Sequence, residues 1–443
     1  MQSANIMMIP KRKLLGLVLF ALPFFSIAQE NSAYSRYGVG NIMPKGNILN
    51  RGMGGISAAY ADPATVNSIN PASYSNLIYT TLDIAAEMDS RTMRSQDPQG
   101  KFTSNNAIFS YLQMGIPLLN GNKKALKKDM SWGINFGLRP VTKINYKIQT
   151  NGRVANIDSL VSQYEGSGGV NEAFAGTGIR IKALSLGINV GYLFGSKDYG
   201  TRLSLVNDTV NYYSSNSATQ TNFGGLFLNA GIQYAIKIKN GALRLGAYGN
   251  FQKKYNATQD IIRETFAYNS ITGNPDKLDS ISDRRNLKGT IVLPATYGIG
   301  FDIERVHWVV GADFEMTNWN NYSFYGQKDL VKNNWTAKAG FQYFPATGES
   351  KKYWNFVKYR AGIFFGPDYI NVDQNLPQYG VSLGAGLPLK LKRAFYETQY
   401  SVMNLSFEYA SRGNKNNNIR ENIFRVGVGF SLSDIWFRRY KYD

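Results

Sequence analysis

The chain has 443 residues, a formal net charge of +19, no cysteine and one histidine, His307. These counts exclude a disulfide framework and thiol chemistry, leave no zinc site built on Cys and His, and make any Ser-His-Asp triad depend on one residue. Aromatic residues make up 14% of the chain and glycine fills 44 positions, with a mean hydropathy of -0.29. That is the composition of a secreted all-β protein or a membrane barrel, not of a disordered chain.

At the N-terminus, Lys11-Arg12-Lys13 precedes an apolar run from Leu14 to Ile27, and Ser26 and Ala28 stand at the −3 and −1 positions of a small-residue cleavage site. The run is too short to span a bilayer, so residues 1–28 are expected to be a cleaved signal peptide. The signal carries three positive charges and no acid, so +19 less 3 leaves +16 for the remainder. A basic chain ordinarily points to nucleic acid. An exported one is expected to meet none, and anionic headgroups or plain solubility account for the charge instead. No later segment reaches 18 consecutive apolar residues.

Residues 29–76 come next and contain RGMGGISAAYADPATVNSINPAS, from Arg51 to Ser73. Small residues and two prolines make this neither a strand nor a good helix. Gly52-Met53-Gly54-Gly55 resembles a nucleotide loop only superficially, because the dinucleotide fingerprint needs a preceding strand.

From residue 77 the pattern is strict alternation. Leu184, Leu186, Ile188, Val190 and Tyr192 share one face, while Ser185, Gly187, Asn189 and Gly191 share the other. Leu243, Leu245, Ala247 and Phe251 repeat the pattern, as do Phe424, Val426, Val428, Phe430 and Leu432. A soluble sandwich also alternates, but its strands are shorter than these. Fourteen strands are expected, over 77–89, 104–117, 131–149, 162–181, 183–206, 209–237, 242–267, 286–304, 306–318, 334–345, 354–366, 377–389, 393–410 and 420–433. Links after even strands are mostly tight, and links after odd strands are long and polar, as in Ser90–Thr103, Ala267–Arg285 and Trp319–Trp335. Short turns at one end and long loops at the other predict an outer-membrane antiparallel β-barrel over 77–433, with a periplasmic tail at 434–443. With a periplasmic N-terminus the tight turns are periplasmic. Tyr192, Phe194, Trp308, Trp319, Trp354 and Tyr409 are expected in interfacial girdles.

Arg51-Gly52-Met53-Gly54-Gly55, Asp62-Pro63-Ala64 and Asn70-Pro71-Ala72, with Leu293 to Phe301, Tyr359 to Gly362 and Gly380 to Leu387, make the chain similar to FadL-type outer-membrane transporters of long-chain fatty acids and other hydrophobic compounds. More closely, it looks like the branch found in Bacteroidetes-type bacteria. The resemblance implies an N-terminal hatch inside the lumen, with Gly52, Gly54, Gly55, Asn70, Pro71 and Ala72 as its hatch and gating residues. It further implies passive uptake and a lateral exit at a kink in the third strand. Pro140 is the candidate kink, since proline breaks a ladder; a bend for closure without a gate is the other reading. Implied partners are outer-membrane lipid, a hydrophobic small molecule and the barrel-assembly machinery during biogenesis, with no nucleic acid, cofactor or metal.

Arg139, Arg180 and Arg244 lie on polar strand faces with Arg425. They either contact a ligand carboxylate or pair with acids such as Asp313 and Glu315 for stability. No catalytic residue is expected, and His307, in a turn, suits structure better than lipid hydrolysis. The alternative to transport is an accessory or plug barrel in a secretion or gliding complex.

Overall fold

The computed structural model describes residues 32–119, 129–154, 158–206, 210, 212–268, 271, 275–346, 352–372, 376–389 and 399–436. The expected signal peptide, residues 29–31 and most of the expected tail lie outside the described residues. A two-residue strand, β1 (Asn41–Ile42), precedes the wall strands β2 (Thr80–Ser95), β3 (Gly100–Leu119), β4 (Met130–Val154), β5 (Asp158–Ile181), β6 (Leu184–Val206) and β7 (Ser214–Ile238). The next two wall strands are each in two pieces, β8 (Gly241–Asn250) with β9 (Lys253–Tyr268), and β10 (Pro275–Leu293) with β11 (Thr296–Arg305). After β12 (Trp308–Thr317) and the short β13 (Ser323–Phe324) come β14 (Asn334–Tyr343), β15 (Lys358–Pro367), β16 (Pro377–Pro388), β17 (Tyr400–Arg412) and β18 (Ile419–Asp434). β18 pairs with β2 from Ile419↔Ser95 to Asp434↔Thr80, closing an antiparallel barrel of 14 wall strands.

The alternating residues explain the wall. Leu184, Leu186, Ile188, Val190 and Tyr192 all point outward, and Leu186 is 53% exposed. Ser185 and Asn189 on the opposite face are buried in the lumen. Apolar outside and polar inside is the arrangement a bilayer demands. Among the described residues no helix is long and apolar enough to cross a membrane. Of the six girdle candidates, Tyr192, Phe194, Trp308, Trp354 and Tyr409 are exposed on the outside. Trp319 is not: it is 5% exposed and stacks on Tyr369 inside the lumen, 4.3 Å between centroids. It follows the end of β12, where the chain turns inward in a 3-10 turn.

Strand boundaries depart from expectation at the long-loop end. β2 and β3 meet almost directly across Ser95 and Gly100, where a long loop was expected. β10 begins at Pro275, inside the expected loop Ala267–Arg285, and both its faces are exposed over most of that stretch. A strand wet on both sides loses its period-two signal, so the sequence pattern fades where the wall leaves the bilayer. The seventh and eighth strands break at Phe251-Gln252 and Pro294-Ala295, and at the second of these Pro294 cannot donate to the ladder.

The wall is tall on one side and low on the other. β4 and β7 have 25 residues each, whereas β12, β14 and β15 have 10. About ten residues suffice to cross a bilayer. The hydrophobic core lies inside the barrel, where Tyr34, Val39, Val170, Leu193, Ile291, Trp319, Tyr322 and Tyr369 pack together.

Candidate functional site

Residues 32–76 fold within the lumen. After a 3-10 turn over Ala33–Arg36, an α-helical turn, α1 (Ile48–Arg51), is capped by Asn47, whose side chain accepts from the Asn50 N–H at 2.8 Å. The chain then reverses at Gly54, which has φ +69. A Cβ there would lie 2.7 Å from the Ile363 carbonyl oxygen and 2.8 Å from that of Ala339, so only glycine fits. The wall answers with its own gaps: a Cβ on Gly362 would fall 2.0 Å from the Gly54 nitrogen, and one on Gly187 2.3 Å from Pro71. Gly52 packs on Gly384, and Gly55, at φ +84, lies beside Lys338.

The predicted anchor Asn70-Pro71-Ala72 begins a 3-10 turn over Pro71–Asn76. Asn70 Oδ1 accepts from the Ala72 N–H at 3.1 Å, while its Nδ2 donates to the carbonyls of Ala58, Ile232 and Ala247 at 2.6, 3.2 and 3.2 Å. One side chain thus caps the turn and binds the hatch to β7 and β8. Nearby, the Tyr74 hydroxyl donates to Asn189 at 2.9 Å, and the Ser75 hydroxyl donates to Ser185 at 3.1 Å.

Charges complete the belt. Arg51, 3% exposed, bonds Glu87 and lies 3.7 Å from Glu408. Glu408 meets Arg425 at 2.6 Å, which reaches Asp89 at 3.3 Å. Arg91 continues the chain to Glu421, then Arg412 and Asp368. Burial pulls the Arg51 guanidinium below its ordinary value, and Glu408 opposes that. Across the lumen, Glu315 binds Lys45 at 2.8 Å and Lys338 at 3.6 Å, and Asp313 accepts the Ser57 and Ala58 N–H groups at 2.5 and 2.8 Å. Asp62 pairs with Lys358 at 3.1 Å; burial alone would raise its carboxyl, but Lys358 and the Ala64 N–H hold it below its ordinary value.

The three candidate ligand arginines are therefore engaged. Arg139 pairs with Glu172 at 3.0 Å, Arg180 donates to Asn76 at 3.1 Å, and Arg244 binds Asp302 at 3.2 Å as well as Glu304. Their partners are not Asp313 and Glu315, which serve the hatch instead. Lys45, Glu87 and Glu408 were not singled out from the sequence, and Arg51 was named only within the hatch motif. The signal was there for Glu87, which alternates with the lipid-facing Ile84, Ala86 and Met88 on β2. A charge at such a position points into the lumen and needs a partner.

Pro140 lies where the wall changes. The β3–β4 ladder runs from Leu119↔Trp132 only to Leu112↔Leu138. Beyond it β3 pairs with β2 and β4 with β5, and a register shift falls between Pro140 and Thr142. Among the described residues no wall ladder joins Arg139–Val154 to β3. Instead β1 pairs there from within, Asn41↔Lys143 and Ile42↔Thr142. A lumen cavity of about 160 Å³ is lined by Ile42, Met43, Val141, Leu193, Phe227 and Trp319 among others. A second space of about 570 Å³, bounded by Met43, Ile108, Pro140, Phe194 and Phe223, lies at the interrupted wall. The two share Met43, Pro140 and Thr142.

A closed barrel of fourteen strands with its own N-terminal segment inside the lumen defines the class by architecture: its fold is that of the solved FadL-type barrels. The P. putida toluene transporter TodX is similar, with 14% identity, a TM-score of 0.55, and 89% of this chain and 100% of that chain covered. A Pseudomonas aeruginosa FadL homologue is 11% identical, with a TM-score of 0.53 and coverage of 90% and 100%. At these identities the likeness establishes the fold. The chain belongs to the BamG family, whose model matches residues 8–443. No curated protein matches the sequence.

Proposed function

We propose that the protein is an outer-membrane channel through which uncharged hydrophobic small molecules pass from the lumen sideways through the wall, with the hatch closing the axial path. The observation that carries this reading is the interrupted β3–β4 ladder, with a space of mixed apolar and polar lining on either side of Met43 and Pro140. The similarity to a toluene transporter supports it. Arg139 lines the lumen cavity together with its partner Glu172, and the carboxylate of Glu172 opposes a second carboxylate there, which favours neutral ligands over long-chain fatty acids. Uptake of radiolabelled toluene and of a labelled long-chain fatty acid should be compared in cells with and without the gene. Gene-dependent uptake of toluene exceeding that of the fatty acid is expected; equal rates with and without the gene would remove the proposal.

The bonding of the hatch favours a second reading, a non-conducting accessory subunit of a larger outer-membrane complex. Arg51 and Asp62 are both buried and ion-paired to the wall, as a permanent plug requires. Purification in mild detergent separates the two: a stoichiometric large partner with no gene-dependent uptake supports the second.

A further inference from the structure

Charges in this molecule occupy three environments. Inside the lumen, the cations of the hatch belt face carboxylates. On the outer face of the tall wall, charges cross-pair between strands, as in Lys147–Glu165 at 2.9 Å, Lys277–Glu264 at 3.6 Å and Arg285–Asp260 at 3.6 Å. The tight-turn rim is different. Lys182 lies in the β5–β6 turn, Lys239 in the β7–β8 turn, and Arg305 at the β11–β12 turn. Because β5, β6, β7, β8, β11 and β12 are neighbours in that order, these are three successive turns of one arc. Among the described residues none of the three forms an ion pair. Of the neighbouring acids, Glu304 bonds Arg244, and Asp129 touches Lys182 through the backbone, its carbonyl accepting the Lys182 N–H at 2.8 Å, with no ion pair between the two side chains.

Beside each cation the outward surface is apolar or aromatic. Ile181 and Leu184 flank Lys182, Tyr234 and Ile236 precede Lys239, and Val306 and Trp308 follow Arg305; all six are exposed. The Arg305 guanidinium also donates to the Lys239 carbonyl, tying two of the turns together. Unpaired cations within a few residues of an aromatic collar stand at headgroup depth, where their stems cover apolar surface and their charges reach phosphates.

We propose that this arc binds anionic phospholipid headgroups of the leaflet bordering the tight turns, with Lys182, Lys239 and Arg305 on the phosphodiesters. A headgroup reaches all three from the bilayer itself, since they adjoin the lipid-facing band. An acidic protein would have to approach from the aqueous side and leave that adjacency unused.

The test uses the full mature chain in bilayers containing brominated phosphatidylglycerol or brominated phosphatidylcholine, read by tryptophan quenching, Trp308 being on the arc. At low salt the wild type should prefer phosphatidylglycerol by at least about five-fold. The preference should fall towards unity in 0.5 M salt and in a Lys182→Gln/Lys239→Gln/Arg305→Gln variant that still shows heat-modifiable mobility as a folded barrel. A Lys147→Gln/Lys277→Gln control on the outer face should keep it. Equal affinity in the wild type, or a triple variant with undiminished preference, would overturn the proposal; the second result would leave the charge of this arc to an acidic protein.

Discussion

The belt where the hatch meets the wall and the window between β3 and β4 lie in the same barrel and are built in opposite ways. At the belt, backbone approaches backbone through facing glycines, Asn70 satisfies three carbonyls, and Arg51 is held between two carboxylates. At the window the ladder stops at Leu138, and Thr142 and Lys143 pair only with a two-residue internal strand on that side. The plug is fastened and the wall is incomplete. On the proposed function, a molecule in the lumen would meet less resistance sideways than downwards, with the axial path closed by a hatch that stays in place.

Changes at the belt are expected to have the largest effects. Arg51→Ala leaves Glu87 buried without its cation and Glu408 with Arg425 alone, and should cost about 3–5 kcal/mol, visible as a lower urea midpoint for the folded, heat-modifiable form. Gly54→Val adds a strained φ to direct backbone overlap. It should release the hatch, raising hydrogen exchange over residues 48–60 while the wall strands stay protected. Asn70→Ala removes a cap and three acceptor contacts, and about 2 kcal/mol of local hatch stability should go with them, measured by exchange over residues 70–76. Deleting residues 51–73 should leave a barrel that folds but leaks small hydrophilic solutes; a sealed barrel would make the segment a tether only. At the window the stability effect is smallest. Pro140→Val restores a ladder donor and should change stability by under about 1 kcal/mol, yet slow toluene uptake if the break is the exit.

The difference between the regions also decides what could be read from sequence. Within the bilayer each strand has one lipid face and one lumen face, so the Leu184–Tyr192 and Phe424–Leu432 patterns gave strand number and facing correctly. Above the bilayer, β10 is wet on both faces, and its first half looked like a loop. Trp319 carried an interfacial residue's chemistry but sits in a link that folds inward, and composition cannot tell these apart. Glycines on the lumen faces were visible as small residues, while their purpose depended on which hatch atom lies opposite. The belt's ion pairs join residues far apart in the chain, such as Arg51 with Glu408 and Lys45 with Glu315. Such partners follow from closure of the barrel and not from any local spacing.

The central claim is that the route is sideways and the hatch stays in place. The chain has no cysteine, so one engineered disulfide reports cleanly. Ser75 and Ser185 have their hydroxyl oxygens 3.1 Å apart across the hatch–wall contact. In a Ser75→Cys/Ser185→Cys variant, toluene uptake should be the same with the disulfide formed and after reduction. Uptake that vanishes on oxidation and returns with reductant would show that the hatch must move, and would contradict the account.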